Sequence, residues 1–420
     1  MAHQFEESSS VEVIKDDFKI RDLFDSKKDL LLKQSDVDVL YIVNLGEVIN
    51  RIDLFRKYLP NVEPFYAVKC NPDPVVLKLL GASNLGFDCA SKEEIKAVLK
   101  TGVLPNKIIF SHTIKKIPHI QFAKKHNISI LTFDSESELN KIKMIYQDAK
   151  LVMRIFVDSS KAGYPMGTKF GVKESSTRGL LEKAKQLQLN VIGVSFHVGS
   201  SCLHIETYEK AIKAARKTFD EASSLGFQFT LLDIGGGFPG AKGTESTFVE
   251  LAETLQLSFK EHFPSTSGVR IIAEPGRYFV DSAFSCASEI IAVKISGEGT
   301  CIEDDSDKTQ LEYYLTNSIF TSFGFPEREV VPMIIKECVG QERYPSFLWG
   351  VTCCPIDHIA EDVLLPKMEV GDLLFFESMG AYSLALSCRF NGYGNVKICY
   401  VVPESKRDRL LDFSATNGYH

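Results

Sequence analysis

The chain has 420 residues, which is more than usually folds around a single hydrophobic core. This length predicts one large domain and one smaller domain. Its apolar content of 44%, charged content of 25% and formal charge of −7 indicate a soluble globular protein and argue against a nucleic-acid surface. No apolar run is long enough to span a membrane, and the polar, acidic N-terminus lacks a signal-peptide core. The ten cysteines include no CxxC pair, so we expect a cytoplasmic protein with reduced thiols and no metal site.

Short runs rich in β-branched residues alternate with longer amphipathic stretches between about residue 40 and residue 280. Such runs are typical of buried parallel strands, and the stretches between them predict helical crossovers. We predict eight strands, at Phe65–Cys70, Leu85–Ala90, Lys107–Ser111, Ile128–Asp134, Leu151–Val157, Val191–Val198, Thr230–Gly237 and Val269–Glu274. Eight such units predict a (β/α)8 TIM-like barrel over residues 40–280, with a doubly wound open sheet as the alternative.

The rest of the chain, residues 1–39 and 281–420, follows a different pattern. After residue 280, strand-like runs are separated by turns, and long helical patterns are few; the runs are FSCASEIIAVKIS, LEYYLTN, DLLFFES and VKICYVV. This part of an α/β protein is therefore predicted to form a mostly antiparallel β domain.

Residues with useful chemistry gather at the carboxyl ends of the predicted barrel strands, where barrel enzymes place their working groups. They are Lys69, Asp88, Ser111, His112, Arg154, His197, Gly235, Gly236, Gly237 and Glu274. Each has an ordinary alternative: a lysine can extend to the rim, a lone histidine can be a satisfied core residue, and a glycine run can be a turn. Glu274 and Arg277 can likewise form a structural ion pair. Their shared position at one end of the barrel favours a common site.

This set of groups matches the requirements of one cofactor. Pyridoxal phosphate needs an amine to bind its aldehyde, a cradle for its phosphate and a carboxylate for its ring nitrogen. Lys69, the glycine run at 235–237, and Glu274 with Arg277 supply these groups. The sequence therefore predicts a pyridoxal-phosphate site.

The motifs resemble those of the ornithine decarboxylase family, the fold-type III pyridoxal-phosphate-dependent decarboxylases, from roughly residue 10 to residue 400. The stretches that carry the resemblance are PFYAVKCN, GFDCASKEEI, SFHVGS, DIGGGFPG, IIAEPGRYFV, WGVTC, MGAY and FNGY. The resemblance implies a barrel with a β domain, polyamine-related decarboxylation, and a head-to-tail homodimer with two shared active sites.

The resemblance also implies a role for each matching residue. Lys69 would form the Schiff base, His197 would stack on the cofactor ring, and Glu274 would pair with the ring nitrogen. Asp88 and Arg154 would lie near the Schiff base and the ring hydroxyl, supported by Glu94. The phosphate would be held by Ser200, Gly235, Gly236, Gly237, Arg277 and Tyr382. Cys353, from the second subunit, would direct reprotonation. Phe390 would line the site, and Lys169 and Asp357 would bridge the subunits.

Two positions depart from the family pattern. The residue after Cys353 is an aspartate in the family and is Cys354 here; the YYxNDG aspartate is Asn317 here, followed by Ser318. Both aspartates would meet the distal ammonium of a diamine substrate, and an ammonium buried without them would be uncompensated. Either Glu312 or Asp357 could compensate by moving. The departures predict an amino-acid substrate other than ornithine, or a lost activity.

Three functions follow as alternatives. The chain could be a decarboxylase with an altered substrate, an ordinary ornithine decarboxylase with a rearranged distal contact, or a non-catalytic regulator resembling the antizyme inhibitors. The region corresponding to the family's antizyme-binding helix carries Lys115, Lys116, Lys124, Lys125 and Lys141. Antizyme is therefore a possible partner, although the same lysines could simply be a solvated helix face. The retained cofactor residues favour a decarboxylase.

Overall fold

The structure is a computed structural model, and it describes residues 11–34, 36–166, 169–295, 310–324, 331–336 and 340–410. The strands are β1 Val11–Ile14, β2 Val39–Asn44, β3 Val62–Ala67, β4 Gly86–Cys89, β5 Ile108–Phe110, β6 Ile130–Phe133, β7 Lys150–Arg154, β8 Asn190–Ser195, β9 Leu231–Asp233, β10 Arg270–Ala273, β11 Phe284–Ile295, β12 Leu311–Leu315, β13 Met333–Ile334, β14 Arg343–Trp349, β15 His358–Pro366, β16 Leu373–Phe376 and β17 Val396–Pro403. The helices are α1 Ile20–Lys27, α2 Asp29–Leu32, α3 Leu45–Tyr58, α4 Pro74–Ala82, α5 Lys92–Lys100, α6 Ile117–Lys125, α7 Glu136–Ile145, α8 Glu174–Gln186, α9 Ile205–Ser224, α10 Glu245–His262 and α11 Arg277–Val280.

Strands β3 to β10 close into a parallel barrel in which β10 pairs with β3, which confirms the predicted fold class. Local signals start its helices. Asp73 caps α4 by accepting the N–H groups of Val75 and Val76, while Ser91 caps α5 through the N–H of Glu94. The strands are short because only their apolar centres are buried on both faces. Their inner side chains form one cluster: Phe65, Ile109, Ile130, Val152, Leu231 and Ile272.

A nine-stranded mixed sheet forms the second unit, in the order β1-β17-β2-β11-β12-β14-β15, with β16 and β13 branching from β11. Antiparallel pairings outnumber parallel ones, which agrees with the predicted β domain; the parallel pairings are β1 with β17, β17 with β2, and β12 with β14. The sheet packs on α1 and α2 around Phe24, Leu40, Ile42 and Phe375.

The described residues divide into two compact units. One contains residues 11–49 and 280–408, and the other contains residues 50–279 with residues 409 and 410. Residues 40–49, assigned to the barrel from sequence, therefore cluster with the β unit. The reason is that β2 pairs with β11 and β17 rather than with a barrel strand. Within the described ranges, no helix combines the length and the apolar character needed to cross a membrane.

Candidate active site

A layer of polar side chains lies directly above the apolar interior of the barrel, as strand register dictates. Side chains alternate across a strand, so the residue two positions beyond an inward apolar residue also points inward. Arg154 follows Val152 in this way, Asp233 follows Leu231, and Glu274 follows Ile272. Asp88 is in register with Ile109, and Ser195 with both Arg154 and Asp233. Polar groups from distant parts of the chain thus meet at the carboxyl end of the barrel.

Lys69 lies just beyond the end of β3, although the predicted strand Phe65–Cys70 included it. Strand β3 ends at Ala67, and Lys69 belongs to a 3-10 turn over Val68–Cys70. The turn leaves the ammonium about one-third exposed, with Nζ 2.5 Å from Oδ2 of the fully buried Asp88. The other oxygen of Asp88 accepts a hydrogen bond from the hydroxyl of Ser111. Lys69 is therefore held by a carboxylate that is itself fixed.

Glu94 lies next to this pair at the start of α5. Its Oε2 accepts the backbone N–H of Ala90 at 2.5 Å. Burial raises the pKa of Glu94 to about 7, against the lowering effects of the Ala90 N–H and of Lys69. Glu94 therefore titrates near neutral pH in the folded protein.

His197 is held as a neutral imidazole of one defined tautomer. Its Nδ1 accepts the N–H of Gly199 at 3.0 Å, so the ring proton belongs on Nε2. Burial, followed by the positive charges of Arg154 and Lys69, lowers the pKa of His197 well below its usual range. A neutral ring at this position suits stacking on an aromatic cofactor.

The glycine run forms a tight loop in which side chains do not fit. Gly235 and Gly237 have φ angles of +63° and +109°. A Cβ on Gly236 would lie 2.7 Å from the carbonyl oxygen of Glu274 and 3.0 Å from Nε2 of His197. The loop can therefore approach a ligand closely with its backbone.

Two of the predicted phosphate ligands meet at the same end of the barrel. Nε of Arg277 donates to Oγ of Ser200 at 3.4 Å, and Ser200 is also fixed by backbone hydrogen bonds with Tyr164. A Cβ on Gly237 would lie 2.7 Å from the carbonyl oxygen of Gly199, next to Ser200. A guanidinium, a hydroxyl and a glycine backbone thus converge as an anion-binding group.

The residues present fit pyridoxal phosphate. Glu274 is 9% exposed, and its Oε1 is buried with no hydrogen-bond donor among the described residues. A protonated ring nitrogen would supply the missing donor. The glycine loop, Ser200 and Arg277 would hold the phosphate, and Lys69 would meet the aldehyde.

The remaining predicted site residues belong to the β unit. Cys353 is exposed, and its backbone N–H donates to Oδ1 of Asn391 at 2.9 Å. Phe390, which precedes Asn391, is 42% exposed, and its ring centroid is 5.1 Å from that of Phe320. Cys354 is half-buried. The β unit therefore brings Cys353 and the FNGY turn together, as a shared site would require.

The side chain of Asp357 forms hydrogen bonds within its own unit. Its side chain is buried; Oδ1 accepts the N–H of Ile319, and Oδ2 accepts both the N–H and the hydroxyl of Thr352. These three bonds fix the turn that carries Cys353. The predicted partner Lys169 is exposed, with its ammonium 5.2 Å from the ring centroid of Phe170. The pairing of Lys169 with Asp357 across subunits stays a prediction.

Asn317 is fully buried, and its amide is committed to internal hydrogen bonds. Its Oδ1 accepts the N–H of Ser318 and the hydroxyl of Thr321, each at 2.8 Å. Its Nδ2 faces Sγ of the buried Cys286 at 3.8 Å. The amide is thus neither charged nor free to bind a substrate ammonium in this conformation.

Tyr382, in the same unit, is partly exposed and has a φ of +53°.

The lysines assigned to the antizyme-binding region divide into two groups. Lys115 is fully buried, with Nζ 2.9 Å from Glu138, and Lys141 pairs with the same carboxylate at 2.5 Å. Burial lowers the pKa of Lys115 to about 8. Lys116, Lys124 and Lys125 are exposed. Lys115 is therefore a structural residue, which corrects its place among the surface lysines.

Ser195 and Asp233 were not assigned a role from the sequence, although both face the polar layer. Asp233 is fully buried, its Oδ1 accepts the N–H of Gly235 at 2.9 Å, and its side chain lies within hydrogen-bonding reach of Glu274. The sequence signal that could have identified Asp233 is its position two residues after Leu231, because an inward apolar residue at 231 implies that residue 233 also points inward.

Comparisons with known proteins identify the family of the chain. Residues 45–281 match the family described as pyridoxal-dependent decarboxylase, pyridoxal binding domain. Ornithine decarboxylase of Rattus norvegicus is 42% identical over 400 residues, which cover 94% of this chain and 87% of that protein. Antizyme inhibitor 2 of Xenopus laevis is 41% identical over 404 residues, with coverage of 95% and 89%. The solved arginine decarboxylase of Paramecium bursaria Chlorella virus has a TM-score of 0.84 at 36% identity, with coverage of 91% and 100%.

Proposed function

This chain belongs to the ornithine decarboxylase family of pyridoxal-dependent decarboxylases, and we propose that it is an active enzyme that converts an amino acid into CO2 and an amine. Its cofactor is pyridoxal phosphate. The observation that carries the proposal is the polar layer of the barrel, where Lys69, held by Asp88, shares one end with His197 and Glu274. A lysine placed in this way is more than a rim residue, because a buried carboxylate orients its amine.

Bound pyridoxal phosphate would withdraw electrons from the substrate Cα, so that the carboxylate can leave as CO2. Glu274, whose carboxyl group is buried, would accept the N–H of the ring nitrogen. Neutral His197 would cover the ring without adding positive charge, because Gly199 fixes its tautomer. Arg277 and Ser200 would anchor the phosphate.

Cys353 would deliver the proton that completes the amine, as the family resemblance implies. In support, its thiol lies on an exposed turn that Asp357 and Asn391 hold in place. We propose that this turn serves the barrel of a second copy of the chain, which makes the active unit a homodimer. A cytoplasmic location suits an enzyme with a working thiol, and the eight cysteines in the described ranges are all free.

We further propose that the substrate has no distal ammonium. Asn317 offers no charge, and both hydrogen bonds to its oxygen come from its own unit. Cys354 is a neutral thiol in place of the second carboxylate. A diamine-forming substrate such as ornithine would bury its ammonium without a counter-charge, so a neutral side chain is favoured.

A non-catalytic, antizyme-binding regulator is the second candidate. It is favoured by the similarity to antizyme inhibitor 2 and by the exposed Lys116, Lys124 and Lys125 on and before α6. Two features argue against a regulator: the amine of Lys69 is oriented by a buried carboxylate, and the residues predicted to bind the cofactor phosphate are all retained. The distinguishing feature is turnover, since a regulator needs none.

The test is a screen of the common amino acids for CO2 release by the purified protein with added pyridoxal phosphate. We expect release from at least one amino acid with a neutral side chain, and none from a Lys69→Ala control. If no amino acid releases CO2 and the protein binds antizyme tightly, the enzyme proposal would be rejected in favour of the regulator.

A further inference from the structure

We propose that Asp233 and Glu274 share one proton at neutral pH, and that Asp233 is the positioning residue that sets the orientation and the charge of Glu274. The inference rests on the cofactor site of the proposed function. It adds a carboxyl pair to that site in place of the single glutamate.

The first observation is that two buried carboxyl groups meet with no donor between them. Asp233 is fully buried and Glu274 is 9% exposed. Oδ2 of Asp233 and Oε1 of Glu274 each have no hydrogen-bond donor among the described residues. The two residues lie at the ends of neighbouring strands: Asp233 pairs with Ile272, and the N–H of Glu274 donates to the carbonyl oxygen of Gly235 at 2.7 Å, so the two carboxyl groups act directly on each other. Two carboxylate oxygens cannot bond to each other, whereas a carboxyl group and a carboxylate can. One proton between them satisfies both groups.

Charge balance leads to the same conclusion. The charged groups that act on the pair are Asp88, Lys69 and Arg154. Within this group of five residues three carboxylates thus face two cations, and one added proton makes the group neutral. Burial accordingly raises the pKa of Asp233 to about 7 and that of Glu274 well above its usual value. The negative charge of Asp233 further raises the pKa of Glu274, whereas a hydrogen bond with Glu274 lowers the pKa of Asp233.

Asp233 is anchored so that only one of its oxygens can serve Glu274. Its Oδ1 accepts the N–H of Gly235 at 2.9 Å, which leaves Oδ2 as the oxygen without a donor. A proton on that side would fix the rotation of the Glu274 carboxyl group. Glu274 would then present a defined oxygen to the ring nitrogen of the cofactor.

Asparagine is the natural test residue, because it reproduces protonated aspartate. In Asp233→Asn, Oδ1 keeps the Gly235 bond and Nδ2 donates permanently to Glu274. Asp233→Ala removes both contacts, and Asp220→Asn on the exposed face of α9 is the matched control. Cofactor-free proteins at pH 7 would be titrated with pyridoxal phosphate, and the dissociation constant followed by the visible absorbance of the bound cofactor.

We expect Asp233→Asn to bind the cofactor like the wild type and like Asp220→Asn. Asp233→Ala should bind at least about tenfold more weakly, as loss of one charge-assisted hydrogen bond predicts. Equal weakening by Asn and Ala would overturn the proposal, because it would mean that Asp233 acts as an anion. If Asp233→Ala does not fold, a tenfold weaker binding of pyridoxal phosphate by Asp233→Asn would by itself overturn the proposal.

Infrared spectroscopy of the cofactor-free protein gives a second readout that is independent of activity. At neutral pH, Asp233→Asn should have one protonated carboxyl band fewer than the wild type. An unchanged band would place the proton on Glu274 alone and contradict sharing. A wild type that binds cofactor but releases no CO2 would refute the proposed enzyme and leave this inference untouched.

Discussion

The ammonium of Lys69 lies 2.5 Å from a carboxylate oxygen of Asp88, which is fully buried and also accepts the hydroxyl of Ser111. This pair joins a turn after β3 to the end of β4. A lysine that is one-third exposed gains little from an ion pair with a surface carboxylate, but a buried and hydrogen-bonded carboxylate restricts the amine to one position.

Replacing Lys69 by alanine should remove the covalent attachment point of the cofactor. We expect Lys69→Ala to lose the visible absorbance of the bound cofactor and all CO2 release while remaining folded, with a Tm lowered by the loss of the counter-ion of the buried Asp88. Absorbance, activity and Tm would be measured beside Lys96→Ala, which removes an exposed lysine of α5. Full activity in Lys69→Ala would refute the assignment.

Cys353 and Cys354 should behave differently when each is replaced by alanine. Cys353→Ala should reduce amine formation sharply and divert part of the product to an aldehyde by misplaced protonation. Cys354→Ala should be mild, because a half-buried cysteine mainly packs. Amine and aldehyde would be quantified per CO2 released. Similar profiles for the two variants would contradict the alignment of this loop.

A shared active site predicts that two inactive variants rescue each other. Mixing Lys69→Ala with Cys353→Ala should restore activity, since a mixed dimer holds one complete site. With random exchange, half of the dimers are mixed and have one working site of two, so about a quarter of wild-type activity is expected. Subunit exchange would be shown separately with tagged copies. Exchange without rescue would count against a shared site.

The distal substitutions predict weak use of ornithine. Charge-assisted contacts contribute roughly 1.5–3 kcal/mol each, so the loss of two lowers kcat/KM for ornithine by about 100-fold or more. Asn317→Asp with Cys354→Asp should raise ornithine turnover more than either change alone. Asn317→Asp alone should also lower Tm, because it places a charge at a fully buried position beside Cys286.

The measurement is kcat/KM for ornithine beside leucine, lysine and other amino acids. A wild-type preference for ornithine at ordinary efficiency would refute this reading of the distal residues. The cofactor assignment would be unaffected.

Glu94 should make the stability of the fold depend on pH. Its pKa is about 7 in the folded protein against an ordinary 4.5, so folded protein binds this proton more tightly than unfolded protein does. The stabilisation is therefore complete below about pH 4.5 and is lost as the pH rises to about 7. It amounts to roughly 3 kcal/mol at most.

Glu94→Gln should remove this contribution, so its free energy of unfolding should fall less than that of the wild type between pH 4.5 and 7. Urea unfolding at several pH values would measure the difference. Glu93→Gln is the matched control, because the exposed Glu93 pairs with Lys96, which lowers its pKa. Parallel pH profiles of wild type and Glu94→Gln would contradict the prediction.

Local patterns in the amino-acid sequence were enough to predict the eight barrel strands and the end of the barrel at which the functional residues gather. Both follow from local patterns: a buried parallel strand must be apolar along its length, and its carboxyl end is where the chain leaves the barrel core. Lys69, His197 and Glu274 were found in this way. The motifs around these residues then indicated which cofactor they bind.

The contacts of each side chain, by contrast, became visible in the folded chain. The amide of Asn317 is directed at Cys286, 31 residues away, Lys115 is buried against Glu138, and Asp233 meets Glu274. None of these partners is near in sequence, and whether a polar side chain points to solvent or to a buried partner depends on which strands become neighbours. Charge states followed for the same reason: burial and charges from other strands, rather than residue type, made His197 neutral and raised the pKa of Glu94 and Asp233.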